Sequence, residues 1–267
     1  MKNLSQKAFE SVTELFHGVS GIRLGANKQA LVAGRLQRLA QEAGDADVDH
    51  YVQRVVSGDV PAQELARVID RLTTNETYFF REPQHFNHLA EWLDRTPANQ
   101  PLRVWSAASS SGEEAYSIAM LLAEQRGNGD WQVIGTDLST SVLDSACTAL
   151  YPMERARMVP PAYLKRYCLK GQGAHQGELL ICRELRQRVH FMQANLMQAL
   201  PAALPMFDVI FLRNVLIYFE NDAKAEIVRR VLGRLKPEGL LYTGHAESLG
   251  TLNLPVRSVA TAVHTHA

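Results

Sequence analysis

The sequence predicts an α/β protein with a mostly parallel β-sheet, preceded by a small all-helical domain. From residue 102 onward, apolar strand-like runs alternate with helix-like runs. This alternation favours a parallel sheet with helices on both faces. Residues 1–72 show only the helical spacing of apolar side chains, as at Phe9, Val12 and Phe16. We therefore expect about four helices there, the last over Gln63 to Leu72.

The length and amino-acid composition of the chain exclude several classes of protein. The chain has 267 residues, 46% of them hydrophobic, with 28 acidic and 28 basic side chains, which suits one large or two modest domains. Its three cysteines form no C-x-x-C pair, so neither a disulfide framework nor a zinc site is indicated. No secretion signal and no run of about 18 apolar residues is present. We expect a soluble, cytoplasmic protein without membrane insertion.

The stretch from Leu102 to Met120 reads as a strand, a turn of small residues and a helix. Ser106 to Ser110 are all small, and a helix-forming run opens at Ser111. The S-x-x-E spacing of a capping box occurs twice, ending at Glu113 and at Glu114. Small residues let the backbone approach a ligand, and the first turn of the helix offers free N–H groups.

The charged residues next to this turn indicate which kind of ligand it can bind. One glycine and two adjacent glutamates disfavour a phosphate, whereas a carboxylate suits a ribose, an amine or a sulfonium. The alternative is that Glu113 and Glu114 only cap the helix and offset its dipole. The next strand, Trp131 to Thr136, ends in Asp137, which follows the first turn by about 25 residues, as expected for an acid that binds ribose hydroxyls. Asp137 is equally a helix N-cap candidate.

Further polar residues follow the later strands. We predict strands at Val189–Met192, Phe207–Leu212 and Gly239–Thr243, with a helix from Asp222 to Leu235. Ligands of parallel sheets bind beyond the carboxyl ends of the strands. The residues expected on the same rim are Glu114, Asp137, Asn195, Leu196, Arg213 and Asn214.

The segment from Thr73 to Pro83 is predicted to hold a ligand rather than to act as a flexible linker. The capping spacing at Thr73 predicts a short helix, which Pro83 ends before it opens the next helix. Asn75, Thr77 and Arg81 alternate with aromatic residues. Arg81 has the geometry to pair with a carboxylate.

Basic residues Lys28, Arg35 and Arg38 are spaced to share one helix face. Such a face suits an acidic protein helix or nucleic acid, or is an ordinary solvated surface. The lack of interleaved aromatic residues argues against single-stranded nucleic acid.

Several motifs together resemble the CheR family of chemotaxis receptor methyltransferases. They are T-T-N-E-T-x-F-F-R-E, W-S-A-A-x-S-x-G-E-E-x-Y-S, the post-strand Asp137, F-D-x-I-F-x-R-N-V-x-I-Y-F and L-K-P-x-G-x-L-x-x-G-H-x-E. The resemblance runs in order from about Ile22 to Ser258. Two departures, Ser109 and Ala115, replace one small uncharged residue with another.

The resemblance implies a class I S-adenosylmethionine-dependent methyltransferase (Rossmann-like) domain over residues 95–267, with an antiparallel β-subdomain at about 166–184. Residues 1–72 would form the helical substrate-recognition domain and 73–94 linker helices. It implies methylation of glutamate side chains on the cytoplasmic signalling domain of chemoreceptors, with S-adenosylhomocysteine as product. The implied cofactor contacts are Asn75, Thr77, Arg81, Glu114, Asp137, Asn195, Leu196, Arg213 and Asn214. Arg81 and Tyr218 are the implied catalytic residues, and we assign Lys28, Arg35 and Arg38 to substrate binding.

The β-subdomain matches a predicted hairpin, Arg166–Leu169 and Glu178–Arg183, joined by the glycine-rich residues 171–177. An exposed edge strand there can accept a receptor's C-terminal tail as an added strand. The alternative is a hairpin with a purely structural role.

The chemistry needs no catalytic triad, because a glutamate is already ionised at neutral pH. Ser109 to Ser111 lack the context of a nucleophile elbow. We predict no metal site, although His85 and His88 have ligand-like spacing and His245 begins half of a deaminase signature. The remaining alternatives are a cofactor-binding adaptor on chemoreceptors without turnover and, disfavoured by the missing G-x-G-x-x-G, a nicotinamide oxidoreductase. We expect a monomer that binds no nucleic acid.

Overall fold

The computed structural model describes residues 4–267. The chain divides into two compact units. One comprises the residues up to Thr74 together with Tyr218–Ala223, and the other comprises Asn75–Ile217 and Lys224–Ala267. Across residues 4–267, no helix combines the length and the apolar character that a membrane span requires.

Four α-helices build the described part of the first unit, as predicted: α1 (Gln6–Ser20), α2 (Gln29–Glu42), α3 (Val48–Ser57) and α4 (Ala62–Leu72). Each buries an apolar stripe, which is what the helical spacing predicted. Local signals set the ends of these helices. The Ser5 hydroxyl accepts the Ala8 N–H at 3.2 Å at the start of α1. Gly21 ends α1 and Gly58 ends α3, both in the left-handed conformation that glycine adopts readily.

The other helices and strands follow in chain order. They are α5 (Pro83–Asp94), β1 (Leu102–Ala107), α6 (Glu113–Arg126), β2 (Trp131–Asp137), α7 (Thr140–Thr148), β3 (Leu150–Pro152), α8 (Pro161–Tyr167), β4 (Cys168–Lys170), β5 (Glu178–Ile181), α9 (Arg183–Arg186), β6 (Val189–Gln193), β7 (Phe207–Leu212), α10 (Asn221–Leu232), β8 (Leu235–Thr243), β9 (Val256–Ala260) and β10 (Val263–His266).

The main sheet has the strand order β6-β2-β1-β7-β8-β10-β9. Strands β6, β2, β1, β7 and β8 are parallel, whereas β10 and β9 join antiparallel. The predicted mostly parallel sheet is confirmed. In the last strand, β10, Val263 and Thr265 are buried while His264 and His266 are half-exposed. All five parallel strands therefore end at the same edge of the sheet.

Large aromatic side chains form contacts between neighbouring strands at the centre of the sheet. Trp105 on β1 donates its indole N–H to the Thr136 hydroxyl on β2 at 2.9 Å and stacks on Phe207 of β7, with 5.3 Å between ring centroids. Phe211 on β7 stacks on Tyr242 of β8 at 4.5 Å. These contacts make the edge of the sheet a rigid platform for the residues that follow each strand.

The small second sheet has the order β3-β5-β4, with both pairs antiparallel. The predicted hairpin is confirmed as β4 and β5, joined by residues 171–177. The Gly171 N–H donates to the Glu178 carbonyl at 2.9 Å and closes the loop. Strand β4 is an edge strand, and its Leu169 side chain is 57% exposed.

The helix predicted to begin at Thr73 does not form, and Pro83 opens α5 directly. The Thr73 hydroxyl donates to the Asp70 carbonyl at 2.7 Å and so belongs to the end of α4. Phe79 and Phe80 are both buried although they are consecutive, and Phe80 has a φ of 53°. The left-handed backbone of Phe80 is incompatible with a regular α-helix at this point.

The predicted capping boxes at the start of α6 are also absent. Gly112, with a φ of 92°, is the N-cap and offers no side chain. The Glu113 carboxylate instead accepts the Ser111 hydroxyl at 2.7 Å and pairs with Arg155, while Glu114 accepts the Ser106 hydroxyl. The glutamates are engaged in tertiary contacts that sequence spacing does not encode.

Gly112 is a position where a side chain should not fit. A Cβ there would lie 2.8 Å from Ala146 Cβ and 3.0 Å from the Tyr151 hydroxyl, at a φ of +92°. We expect Gly112→Ala to lower the free energy of unfolding by about 1–3 kcal/mol in urea titrations. Gly250→Ala is the matched control, since its nearest atom, Ser248 Oγ, would be 3.6 Å away. Equal stability of the two variants would contradict this account of the turn.

Candidate functional site

The structure places the predicted rim residues at one edge of the sheet. Asp137 is the last residue of β2, Asn195 and Leu196 follow β6, and Arg213 and Asn214 follow β7 directly. These strands and β1 are neighbours and run parallel. Glu114 reaches the same edge from the first turn of α6, where it contacts Arg213.

Arg213 is the centre of an ion cluster on this rim. Its side chain is 1% exposed, and its guanidinium lies 3.0 Å from the Glu114 carboxylate and 3.1 Å from that of Glu82. It also donates to the main-chain carbonyl of Arg81. One buried cation therefore joins three segments that are far apart in sequence: residues 81–82, the start of α6 and the loop after β7.

The pKa values of the two carboxyl groups in this cluster, Glu114 and Glu82, are shifted in opposite directions. Burial raises the pKa of Glu114, and the opposing effects of Arg213 and of the Ser106 hydroxyl do not cancel it. Burial acts in the same direction on Glu82, but Arg213 and the Asn214 amide outweigh it and lower the pKa of that carboxyl. Glu114 is thus the carboxyl whose ionised form the protein stabilises less.

Glu82 was missed as a site residue, although it lies in the quoted T-T-N-E-T-x-F-F-R-E motif. Its carboxylate accepts the Asn214 side-chain amide at 3.2 Å in addition to Arg213. Its φ of 56° is unusual for a non-glycine residue. The sequence signal was the motif itself, because neither periodicity nor charge alone marks Glu82.

Asp137 holds the turn after β1. Its carboxylate accepts the Ser110 N–H at 2.8 Å and the Ser139 N–H at 3.0 Å, one on each oxygen. The Ser110 hydroxyl in turn donates to the carbonyl of Asn75 at 3.2 Å. The helix N-cap is Ser139, which accepts the Val142 N–H, so the N-cap alternative for Asp137 is wrong.

The turn after β1 contains left-handed residues. Ala108 has a φ of 61° and Ser110 a φ of 49°, and Asn214 across the rim has a φ of 57°. Non-glycine residues in this region each cost about 1–3 kcal/mol and cluster at functional sites. The strain is concentrated at the edge where the predicted ligand contacts lie.

The segment before α5 supplies the remaining predicted contacts. Asn75, Thr77 and Arg81 are each half-buried. The Arg81 guanidinium donates to the Glu76 carbonyl at 3.1 Å and lies 5.7 Å from the Tyr78 ring centroid. The expected pairing of Arg81 with a carboxylate stays a prediction.

Tyr218 and the basic residues belong to the first unit. Tyr218 ends a 3₁₀ turn, Leu216–Tyr218, and its catalytic role stays a prediction. Lys28 precedes α2, which begins at Gln29. Arg35 donates to the carbonyls of Leu72 and Thr73 at the end of α4, and Arg38 pairs with Glu42 at 2.7 Å. Lys28 and Arg38 are exposed and Arg35 is half-buried, and the assignment of all three to substrate binding stays a prediction.

Two histidines, His85 and His245, lie next to the Arg213 ion cluster, with 4.7 Å between their ring centroids. His85 is 1% exposed, and burial, with the nearby Arg213 charge, lowers its pKa to about 4. Its Nδ1 is 3.4 Å from Glu82 Oε2, but neither ring nitrogen has a well-directed hydrogen bond. Glu82, His85 and His245 each place one ligand-type atom within 4.8 Å of the others. Because Arg213 already supplies the positive charge at Glu82, we assign no metal there.

The rim fits an adenosyl sulfonium group better than a phosphate-bearing one. Asp137 ends β2, the position at which an acid binds ribose hydroxyls in nucleotide-binding sheets. Glu114, Glu82 and Arg213 leave a local excess of one negative charge when both carboxyls are ionised. A phosphate would be repelled there, whereas a sulfonium or an ammonium would be attracted. Fold and rim together define a class I S-adenosylmethionine-dependent methyltransferase.

Comparison with known proteins identifies the family. Residues 75–264 match the domain described as "CheR methyltransferase, SAM binding domain", and residues 7–73 match "CheR methyltransferase, all-alpha domain". The chain belongs to the CheR methyltransferase family, and its cofactor is S-adenosylmethionine.

Curated relatives agree over nearly the whole chain. A chemotaxis protein methyltransferase of Escherichia coli is 39% identical over 93% of this chain and 87% of its own length. Chemotaxis protein methyltransferase 2 of Pseudomonas aeruginosa is 37% identical over 98% and 94%, respectively. The relative from Klebsiella aerogenes is 40% identical over 94% and 86%.

Because the pKa of Glu114 is raised and that of Glu82 is lowered, replacing each by glutamine should affect the stability of the protein differently. Because its pKa is raised in the folded state, ionised Glu114 opposes folding at neutral pH. We expect Glu114→Gln to leave the free energy of unfolding unchanged or higher, and Glu82→Gln to lower it by about 1–3 kcal/mol. The difference between Glu114→Gln and wild type should shrink as the pH falls through the raised pKa of Glu114.

Urea unfolding without cofactor, from neutral to acidic pH, measures both effects. Calorimetric titration should meanwhile show that Glu114→Gln binds S-adenosylhomocysteine about 10-fold to 100-fold more weakly. A Glu114→Gln protein that is much less stable than wild type at neutral pH would refute the assignment of the two carboxylates.

Proposed function

We propose that this chain transfers the methyl group of S-adenosylmethionine to glutamate side chains of chemoreceptors. The observation that carries the proposal is the buried Arg213 cluster with Glu82 and Glu114 on the cofactor rim. Membership of the CheR family and relatives named chemotaxis protein methyltransferase support the choice of acceptor. The product would be a glutamate methyl ester, which removes a negative charge from the receptor and adjusts chemotaxis signalling.

The cofactor supplies a methyl group on a positively charged sulfur, which is electrophilic without further activation. The protein's part is to bind and orient. The proposed contacts are Asn75, Thr77, Arg81, Glu114, Asp137, Asn195, Leu196, Arg213 and Asn214. Asp137 would accept hydrogen bonds from the ribose, and Glu114 would face the positive charge of the ligand.

The acceptor needs position rather than a base. A glutamate carboxylate is ionised at neutral pH and is itself the nucleophile. Catalysis then comes from holding the carboxylate in line with the methyl group in a site that excludes water. We assign this orientation to Arg81 and Tyr218, a cation and a hydroxyl donor that suit the two carboxylates present, one on the methionine part and one on the substrate.

The direct test is transfer of a labelled methyl group to a receptor signalling fragment. We expect a base-labile product, as a methyl ester requires, and a kcat lowered about tenfold or more in Tyr218→Phe. Binding of S-adenosylhomocysteine without any transfer would instead favour the alternative, a cofactor-binding adaptor on chemoreceptors. Displacement of the cofactor by a nicotinamide dinucleotide in calorimetry would favour an oxidoreductase.

Two surfaces are proposed to meet the receptor. Lys28 and Arg38 are exposed on the helical unit and suit an acidic signalling helix. The edge strand β4, with exposed Leu169, suits the receptor's C-terminal tail as an added strand. The proposal places the protein in the cytoplasm as a monomer, in keeping with its three free cysteine thiols.

These surfaces can be separated by two receptor fragments, one with its tail and one without. We expect Lys28→Glu with Arg38→Glu to weaken binding of both fragments about tenfold. Lys170→Pro, which removes a main-chain N–H that points away from β5 at a non-hydrogen-bonded position of the hairpin, should weaken only the fragment with the tail. Each variant is the control of the other, and affinity for S-adenosylhomocysteine should stay as in wild type. If Lys170→Pro binds the tailed fragment normally, the hairpin has a structural role only.

A further inference from the structure

Glu247 lies in the loop after β8 and is 6% exposed. Its carboxylate accepts three backbone N–H groups from two loops at the rim. Oε2 accepts from Asn214 at 2.7 Å and from Gly244 at 2.6 Å, and Oε1 accepts from Ile217 at 3.2 Å. Both carboxylate oxygens are therefore used to join the loop after β7 to the loop after β8.

This arrangement is specific for a carboxylate. A buried carboxylate is costly unless it is fully hydrogen-bonded, and charge-assisted bonds from main-chain N–H groups are among the stronger hydrogen bonds in proteins. A glutamine at this position has a single acceptor oxygen and would turn an NH₂ group toward backbone donors. At least one of the two loops would then lose its anchor.

The loop held by Glu247 carries the cofactor-rim residues. Asn214 has a left-handed φ of 57°, a conformation that persists only when the surroundings hold it. Its side-chain amide donates to Glu82 at 3.2 Å, and the preceding residue is Arg213, the centre of the ion cluster. The bond from Asn214 N–H to Glu247 thus fixes the peptide from which both side chains point.

Gly244 completes the junction from the other side. A Cβ at this position would lie 2.6 Å from Glu247 Oε2, 2.7 Å from Asn214 Nδ2 and 3.0 Å from Asn214 N. These are atoms of the junction itself, so a side chain there would force the two loops apart. The contact between the two loops can therefore be disrupted by mutating either Glu247 or Gly244.

We infer that Glu247 is a positioning residue of the cofactor site, which acts through Asn214 and Arg213 and does not touch the cofactor. The inference rests on the proposed cofactor role of the rim. The proposed receptor surfaces, Lys28 with Arg38 and Leu169, are not part of it. Loss of the junction should therefore affect cofactor binding while leaving receptor affinity unchanged.

The test compares Glu247→Gln with Glu238→Gln, a matched control at an exposed glutamate on β8. We expect Glu247→Gln to weaken S-adenosylhomocysteine binding about tenfold in calorimetric titration, with unchanged affinity for the receptor fragment. Glu238→Gln should behave as wild type in both measurements. The amide resonances of Asn214, Ile217 and Gly244 should shift in the free Glu247→Gln protein, since they lose a charged acceptor.

Gly244→Ala is the second variant, and it serves equally if Glu247→Gln fails to fold. Because both changes break one junction, the double variant should bind S-adenosylhomocysteine no more weakly than the weaker single variant. Wild-type cofactor affinity in Glu247→Gln with shifted amides, or fully additive losses, would overturn the inference. If wild type itself failed to bind S-adenosylhomocysteine, the proposed function would fall, and the amide shifts would still report whether the junction exists.

Discussion

The buried guanidinium of Arg213 is the interaction on which the arrangement of the rim depends. It is 1% exposed and is neutralised by two carboxylates that come from separate segments. A buried cation without a charged partner would be very unfavourable, and Glu82, whose pKa Arg213 helps to lower, is the carboxylate that balances it. The contacts of Arg213 bring the segment before α5 and the first turn of α6 to the end of β7.

Carboxylates on this rim accept hydrogen bonds from backbone N–H groups. Asp137 holds the turn after β1 through the N–H of Ser110, and Glu247 holds the loop after β7 through the N–H of Asn214. Both bonded residues are left-handed. Acidic side chains thus stabilise strained loops at the carboxyl ends of the strands, where a parallel sheet presents its ligand site.

Much of the architecture was predictable because it follows from periodicity. Strand β7 was predicted with the observed bounds, and the hairpin of β4 and β5 followed from its glycine-rich connection. The helix expected at Thr73 and the capping boxes of α6 were wrong. In both places the folded structure overrides the local pattern: Phe80 has a left-handed backbone in one, and Glu113 pairs with Arg155 in the other.

The sequence predicted several residues of the rim, but not the ion pairs and hydrogen bonds that join them. Residues that follow strands, such as Asp137 and Arg213, were identified because parallel strands end at one edge. Glu82 and Glu247 were not, because their partners are 131 and 33 residues away. Those distances in sequence carry no periodic signal.

The sequence by itself determined the helical and α/β units, the strands and the family, since these depend on local spacing and on motifs read in order. Only the tertiary structure decided which carboxylate faces which donor. The reason is physical: burial and neighbouring charge set the state of a carboxyl group, and both arise only when distant segments pack together. Glu114 and Glu82 are the same residue type, and the fold alone shifts their pKa values in opposite directions.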